Sequence, residues 1–275
     1  MMNPNQWETR ARRSSSLLLA PSLLAALLLL AALLLSLAFA PGAHAQRIQP
    51  EAQELLDAAN RSRAEAGLGP LSWDPALTLA ARAHCLRMAA EGPISHKYES
   101  EPDLTERTAH AGAHFNLIEE NVAVGPTTDR IHSMWMHSKG HRENLLNPQI
   151  NRVGIAVVAS RGSLYAVADY SHGVELLSHS QIEESVARLI RATGISIREE
   201  KSEARNYCAN DDHIHGPNPP GFLMRWQSAE LNRLPDALLH RIATGRYRQA
   251  AIGSCRPPGH EDTFTSYNLA VLLYE

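Results

Sequence analysis

Apolar positions along the chain repeat first with helical spacing and then with strand spacing. Over residues 50–67, Leu55, Leu56, Ala59 and Ala66 keep to one side, which predicts a helix stopping at Gly67. Residues 68–73 read as a connector. Asp74-Pro75 opens a second helix, because the aspartate accepts from free N–H groups of the first turn and proline there loses no donor. Its inner stripe is Leu77, Ala81, Cys85 and Met88, and Gly92-Pro93 ends it. Residues 94–101 read as a loop carrying His96, and Asp103 caps a short helix through His110. Residues 115–124 are extended but interrupted at Glu119-Glu120-Asn121. Thr128 caps a helix with Ile131, Met134 and Trp135 inside, ending near Lys139-Gly140, ahead of His141. Residues 152–160 and 164–171 alternate around Arg161-Gly162 and predict a hairpin.

The pattern changes after His172-Gly173. A helix is expected over residues 180–193, a strand over 195–197 and a polar, proline-rich loop over 206–220. A strand over 222–226, a helix over 231–242 and strands over 249–255 and 264–274 follow. That is a small α+β unit of about a hundred residues, enough for a core of its own. No internal repeat is evident. Helices followed by an antiparallel hairpin imply an α+β fold, with helices packed around a small central sheet. The expected organisation is a leader over 1–45, a first domain over 46–173 and an α+β extension over 174–275.

Composition adds the compartment. Arg10, Arg12 and Arg13 precede an uncharged Leu/Ala-rich stretch from Leu17 to Ala40, Pro41-Gly42 breaks it, and Ala43-His44-Ala45 supplies small residues. This is the layout of an export signal cut between Ala45 and Gln46. The stretch is also long enough to span a bilayer, which takes ~20 residues, so an uncleaved anchor is the other reading. Either way the remaining chain is secreted or periplasmic, and membrane contact is confined to the leader. The 230 residues from Gln46 onward carry a formal charge of −5 and no basic run, which argues against nucleic acid as a partner. Of three cysteines, Cys208 and Cys255 lie in loop-like surroundings and are expected to pair, while Cys85 on an inner stripe is expected to be a buried thiol.

Several segments, in order, resemble the CAP superfamily (SCP domain), which includes cysteine-rich secretory, antigen-5 and pathogenesis-related proteins. They are Asn60-Arg61-Ser62-Arg63 with Gly67-Leu68-Gly69-Pro70-Leu71, Trp73-Asp74-Pro75-Ala76-Leu77, Ser95-His96, Glu119-Glu120-Asn121-Val122-Ala123, the run from Trp135 to Leu146 containing Gly140-His141, and Val153-Gly154-Ile155-Ala156. The match is to the compact bacterial branch. The resemblance implies a three-layer α-β-α sandwich and a cleft lined by two histidines and two glutamates. By motif position His96, Glu120 and His141 correspond to three of them, and Ser138 stands where the second glutamate would fall.

Two imidazoles and a carboxylate with an open fourth position would suit zinc or another divalent cation, whose bound water becomes a nucleophile near neutral pH. Equally, the three groups can hydrogen-bond one another and hold the cleft floor without metal. What the resemblance implies for function is a binding or interaction module, toward a lipid, a sterol or an envelope component. The alternative is a metal-dependent hydrolase acting on peptides or envelope polymers. Asp211-Asp212-His213-Ile214-His215 reads as a solvated loop with some capacity for a divalent ion. Asn121 is expected to be a turn former.

Overall fold

A computed structural model describes residues 48–210, 219–255 and 264–275, which belong to one compact unit, Ile48–Glu275. The leader and the Asp211–His215 segment lie outside the described residues. Among those described, no helix is long and apolar enough to cross a membrane.

Helix α1 (Pro50–Glu65) is followed by a two-residue strand β1 (Ser72–Trp73) and helix α2 (Pro75–Glu91). Asp74 caps α2 by accepting from the N–H groups of Ala76 and Leu77. Helix α3 (Leu104–His110) starts with a reciprocal box between Asp103 and Glu106. Strand β2 (Phe115–Gly125) then runs to α4 (Thr128–His137), α5 (Lys139–Leu145), β3 (Arg152–Ser160) and β4 (Ser163–Gly173). These strands form one sheet in the order β1-β3-β4-β2. On one face α2 packs Ala81, Cys85 and Met88 on Val122, Ala156 and Val167. The other face buries Leu55, Ile131, Trp135, Ile155 and Tyr170, so the sheet lies between two helical layers.

Three local expectations are corrected here: Thr127, not Thr128, caps α4 by accepting from Arg130 N. Glu119-Glu120-Asn121 does not interrupt β2, because all three residues keep ladder partners in β4, Glu120 opposite Asp169 and Asn121 opposite Ala168. The helix after Thr127 does not run on to Lys139-Gly140. Ser138 takes an extended conformation, ending α4 and starting α5 as a separate helix.

The rest of the chain contains α6 (His179–Arg191), β5 (Ser196–Ile197), α7 (Ser202–Ala209), β6 (Phe222–Ser228), α8 (Asp236–Ala243), β7 (Gln249–Cys255) and β8 (Tyr267–Tyr274), whose strands form a second sheet. Helix α7, with Ala204 and Tyr207 buried, runs on into the first residues of the stretch expected to be loop from 206. The strand order is β5-β7-β8-β6.

This order repeats the first sheet, strand for strand, with the same parallel pair and the same antiparallel pairs. The linking hydrogen bonds repeat as well. Ser72 N donates to Asn151 O and Asp74 N to Val153 O; Ser196 N donates to Arg248 O and Arg198 N to Ala250 O. Asn151 N donates to Ser171 O as Arg248 N does to Tyr274 O. A glycine in the third strand meets the helix behind it in both halves. A Cβ on Gly154 would fall 2.1 Å from Thr78 N, and one on Gly253 would fall 2.2 Å from Ala204 C. The chain thus builds one topology twice. No repeat is visible in the sequence because a fold asks only for matching periodicity and close approaches, and few side chains coincide.

Candidate functional site

Strands β2 and β4 place Glu120 and Asp169 directly opposite one another, on the face covered by α2. Directly opposed residues share a face, so two acidic side chains meet in a dry interior where both cannot stay ionised. Glu120 is 5% exposed and Asp169 0%. One cation answers them. Arg107, in the last turn of α3 and itself 8% exposed, donates through Nη2 to Glu120 Oε2, and that nitrogen is 4.0 Å from Asp169 Oδ1.

Arg107 also fixes the loop above. Its Nη1 donates to the His96 carbonyl at 3.1 Å, and the His96 ring meets Glu120 Oε1 through Nδ1 at 2.7 Å. The ring is otherwise turned outward, with its side chain 62% exposed. Its hydrogen bond to Glu120 raises the His96 pKa above the ordinary histidine value, against the opposing effect of burial. Beneath lies His84 on α2, fully buried, with Nδ1 2.7 Å from Glu101 Oε1 and Nε2 2.8 Å from the Ser95 carbonyl.

His141 is held differently. Asn121, in mid-strand and not in a turn, points to the other face and donates to the His141 carbonyl at 2.9 Å. Asn144 donates to Asn121 Oδ1 and to the Glu120 carbonyl, both at 3.0 Å, so α5 is tied to β2. The half-buried His141 ring is lowered in pKa by burial and then by the charge of His96. No hydrogen bond or ion pair among the described residues joins it to Glu120. Ser138 lies at the α4–α5 break and makes no side-chain cap. Glu143 is exposed beside Lys139, and Glu119 is turned to Asn147, so neither replaces the missing acid.

The described residues contain no group of three or more His, Cys, Asp or Glu side chains placed to hold a metal ion. The donor set explains it. Both oxygens of Glu120 are already engaged, one by a guanidinium whose charge opposes a second cation at the same carboxylate. His96, Glu120 and His141 as they stand therefore do not fit a zinc ion.

Three members of this cluster, Arg107, Asp169 and His84, are absent from the expectation. Asp169 had a visible signal, as the one acid in the otherwise apolar run from Tyr165 to Tyr170. His84 also had one, lying seven residues after Leu77 and four before Met88 on the inner stripe. Arg107 had none, since the end of a short polar helix is where a solvated arginine is ordinary.

Burial, then the neighbouring Glu120 charge, pushes the Asp169 carboxyl well above the usual carboxylate range. A carboxyl raised on folding weighs against the fold above its unfolded value, and that penalty fades as pH falls through it. Asp169→Asn keeps the shape without the ionisation. Thermal melts are expected to show a higher midpoint than the parent at pH 7, with the gap closing by about pH 3.5. A lower midpoint at pH 7 would instead mean that Asp169 is an anion leaning on Arg107.

Residues 56–170 match the model of the Cysteine-rich secretory protein family, CAP. Protein YkwD of Bacillus subtilis is 30% identical over 114 residues, covering 41% of this chain and 44% of that protein. The chain spans less than half the length of the curated relatives it matches. Among solved structures, an extracellular SCP-domain protein from Bacillus anthracis is 26% identical, with a TM-score of 0.41, over 48% of this chain and 44% of that one. An outer surface protein of Borrelia burgdorferi is 20% identical with a TM-score of 0.43, over 46% of this chain and 94% of that one.

Proposed function

Starting from a CAP domain at residues 56–170, we propose that the protein is an exported binding module whose cleft recognises an envelope ligand and performs no metal-dependent hydrolysis. The observation behind this reading is the engagement of Glu120. A general base or metal ligand needs a carboxylate free to take a proton or a cation, and here Arg107 and His96 hold both oxygens. The cluster is better suited to presenting a surface. The Glu120 bond favours the charged form of the outward His96 ring, a donor for an oxygen-bearing ligand such as a lipid headgroup. Export is supported by the leader-type sequence and by the Cys208–Cys255 disulfide, which needs an oxidising compartment to persist.

The test is a zinc titration of the protein beginning at Gln46, beside a His96→Ala/His141→Ala double variant. Weak binding that the two substitutions leave unchanged is expected. Stoichiometric, tight binding lost in the double variant would overturn the reading in favour of the metal-dependent hydrolase.

A further inference from the structure

Strand β2 carries one residue too many at its start. Phe115 pairs with Gly173 and Leu117 with His172, so Asn116 between them has no partner in β4. A bulge of this kind bends the strand and re-aims a side chain. Asn116 lines a cavity of about 510 Å³, within the range of about 300–1,000 Å³ that holds small ligands. Its walls come from β2, the end of β4, the segment 148–151 and Glu230 just after β6. None of His96, Glu120 and His141 lines it, so it is a different site from the cleft.

Part of the polar wall is already engaged, and that fixes what the rest can do. His172 donates through Nδ1 to the Gln149 carbonyl at 2.6 Å, which makes Nε2 of the neutral ring an acceptor. Glu230 Oε1, a second acceptor, lies 3.6 Å from that nitrogen, too far for a hydrogen bond between them. Asn232 steadies the carboxylate by donating to Oε2 at 2.9 Å. Asn151 Oδ1 accepts from Gly173 N at 2.8 Å, so the Asn151 amide still has N–H groups to give. No hydrogen bond among the described residues engages the side-chain amides of Asn116 and Gln149. Two adjacent acceptors thus sit among amide donors, with Leu117 and Ile150 as the apolar part of the wall.

We propose that this cavity binds a neutral saccharide, with a vicinal diol on His172 Nε2 and Glu230 Oε1 and further hydroxyls on Asn116, Gln149 and Asn151. One donor cannot satisfy both acceptors, whereas hydroxyls on neighbouring carbons give one proton to each and accept from the amides. An anion would meet the Glu230 carboxylate, the one acidic group in the wall. A divalent cation would find one carboxylate and one imidazole, short of the ligand set that calcium or zinc takes. The volume admits a mono- or disaccharide unit.

The probes are maltose, cellobiose and N,N′-diacetylchitobiose, each titrated calorimetrically into the full chain from Gln46, with calcium chloride alone as the competing probe. One-to-one binding of at least one sugar is expected. Glu230→Ala and Asn116→Ala should each weaken it about tenfold, the loss of one ligand hydrogen bond. Their melting midpoints should stay within about 2 °C of the parent, because both side chains serve the ligand and not the empty fold. Failure of all three sugars to bind would overturn the proposal, and so would binding that neither substitution weakens. One-to-one calcium uptake lost in Glu230→Ala would make this a cation site instead. A lowered midpoint in Glu230→Ala would make the His172 contact a structural ion pair, which equally overturns it.

Discussion

Arg107→Met is expected to remove about 3–5 kcal/mol of stability at neutral pH, the largest effect of any single side chain in the cleft. The substitution keeps most of the volume and takes away the cation. Glu120 is then left as a buried carboxylate opposite a second acid, with the His96 and His84 rings nearby. The same change frees the His96 carbonyl and so loosens the loop that roofs the site. Urea denaturation with an unchanged m-value would measure the loss. The double variant Arg107→Met/Glu120→Met separates charge from packing. If the loss comes from a stranded carboxylate, removing both charges should restore most of it, since apolar replacement of a whole buried pair is often neutral. A loss below about 1 kcal/mol for the single variant would mean that water reaches Glu120 and that Arg107 does not organise the floor.

The disulfide carries the other large effect. Cys208 lies in the last turn of α7 and Cys255 ends β7, with a sequence separation of 47. Closing a loop of that length in the unfolded chain corresponds to about 4 kcal/mol in the chain-entropy account. Cys208→Ser/Cys255→Ser is therefore expected to lower the unfolding free energy by that order in urea denaturation, with the loss largest in probes of the second sheet. Reduction of the parent protein should reproduce it. Cys85 should stay unreactive throughout, since burial pushes its thiol up to about 12 and its sulfur donates to the Tyr165 carbonyl. A double serine variant melting with the parent would mean that the helix-to-strand packing of Ala204 on Gly253 already holds this corner without the bridge.

The helices and the hairpin were legible from spacing alone, because each has a regular apolar face and ordinary punctuation. Asp74 and Asp103 start their helices through the side-chain bonds that their chemistry predicts. The pairing of Cys208 with Cys255 was likewise readable, given two cysteines in similar surroundings and a third on a helix stripe. What escaped was the polar interior. Glu119-Glu120-Asn121 looks like a break in a strand because charge in a sheet is normally turned to water, and only an arginine 13 residues upstream makes it admissible. Helix α7 escaped for a related reason. Its apolar contacts are mostly alanine and tyrosine against β7 and β8, too slight a stripe to stand out of a polar stretch. The likeness between the two halves lies in strand order and hydrogen-bond register, which leave little trace in residue identity.

That likeness also bears on how the chain avoids tangling with itself. Two tandem units of one topology offer every strand a wrong home, and exchange between neighbours is a characteristic failure of such proteins. Here the mismatch of side chains stands guard. Were β2 to enter the second sheet in place of β6, Glu120 would face Leu272, far along the chain from the arginine that makes it tolerable. Were β6 to take the place of β2, Leu223 would leave Arg107 and Asp169 buried without the carboxylate between them. Each error strands a charge in an apolar layer, so the divergence of the two halves works as a sorting code that directs each strand to its own sheet.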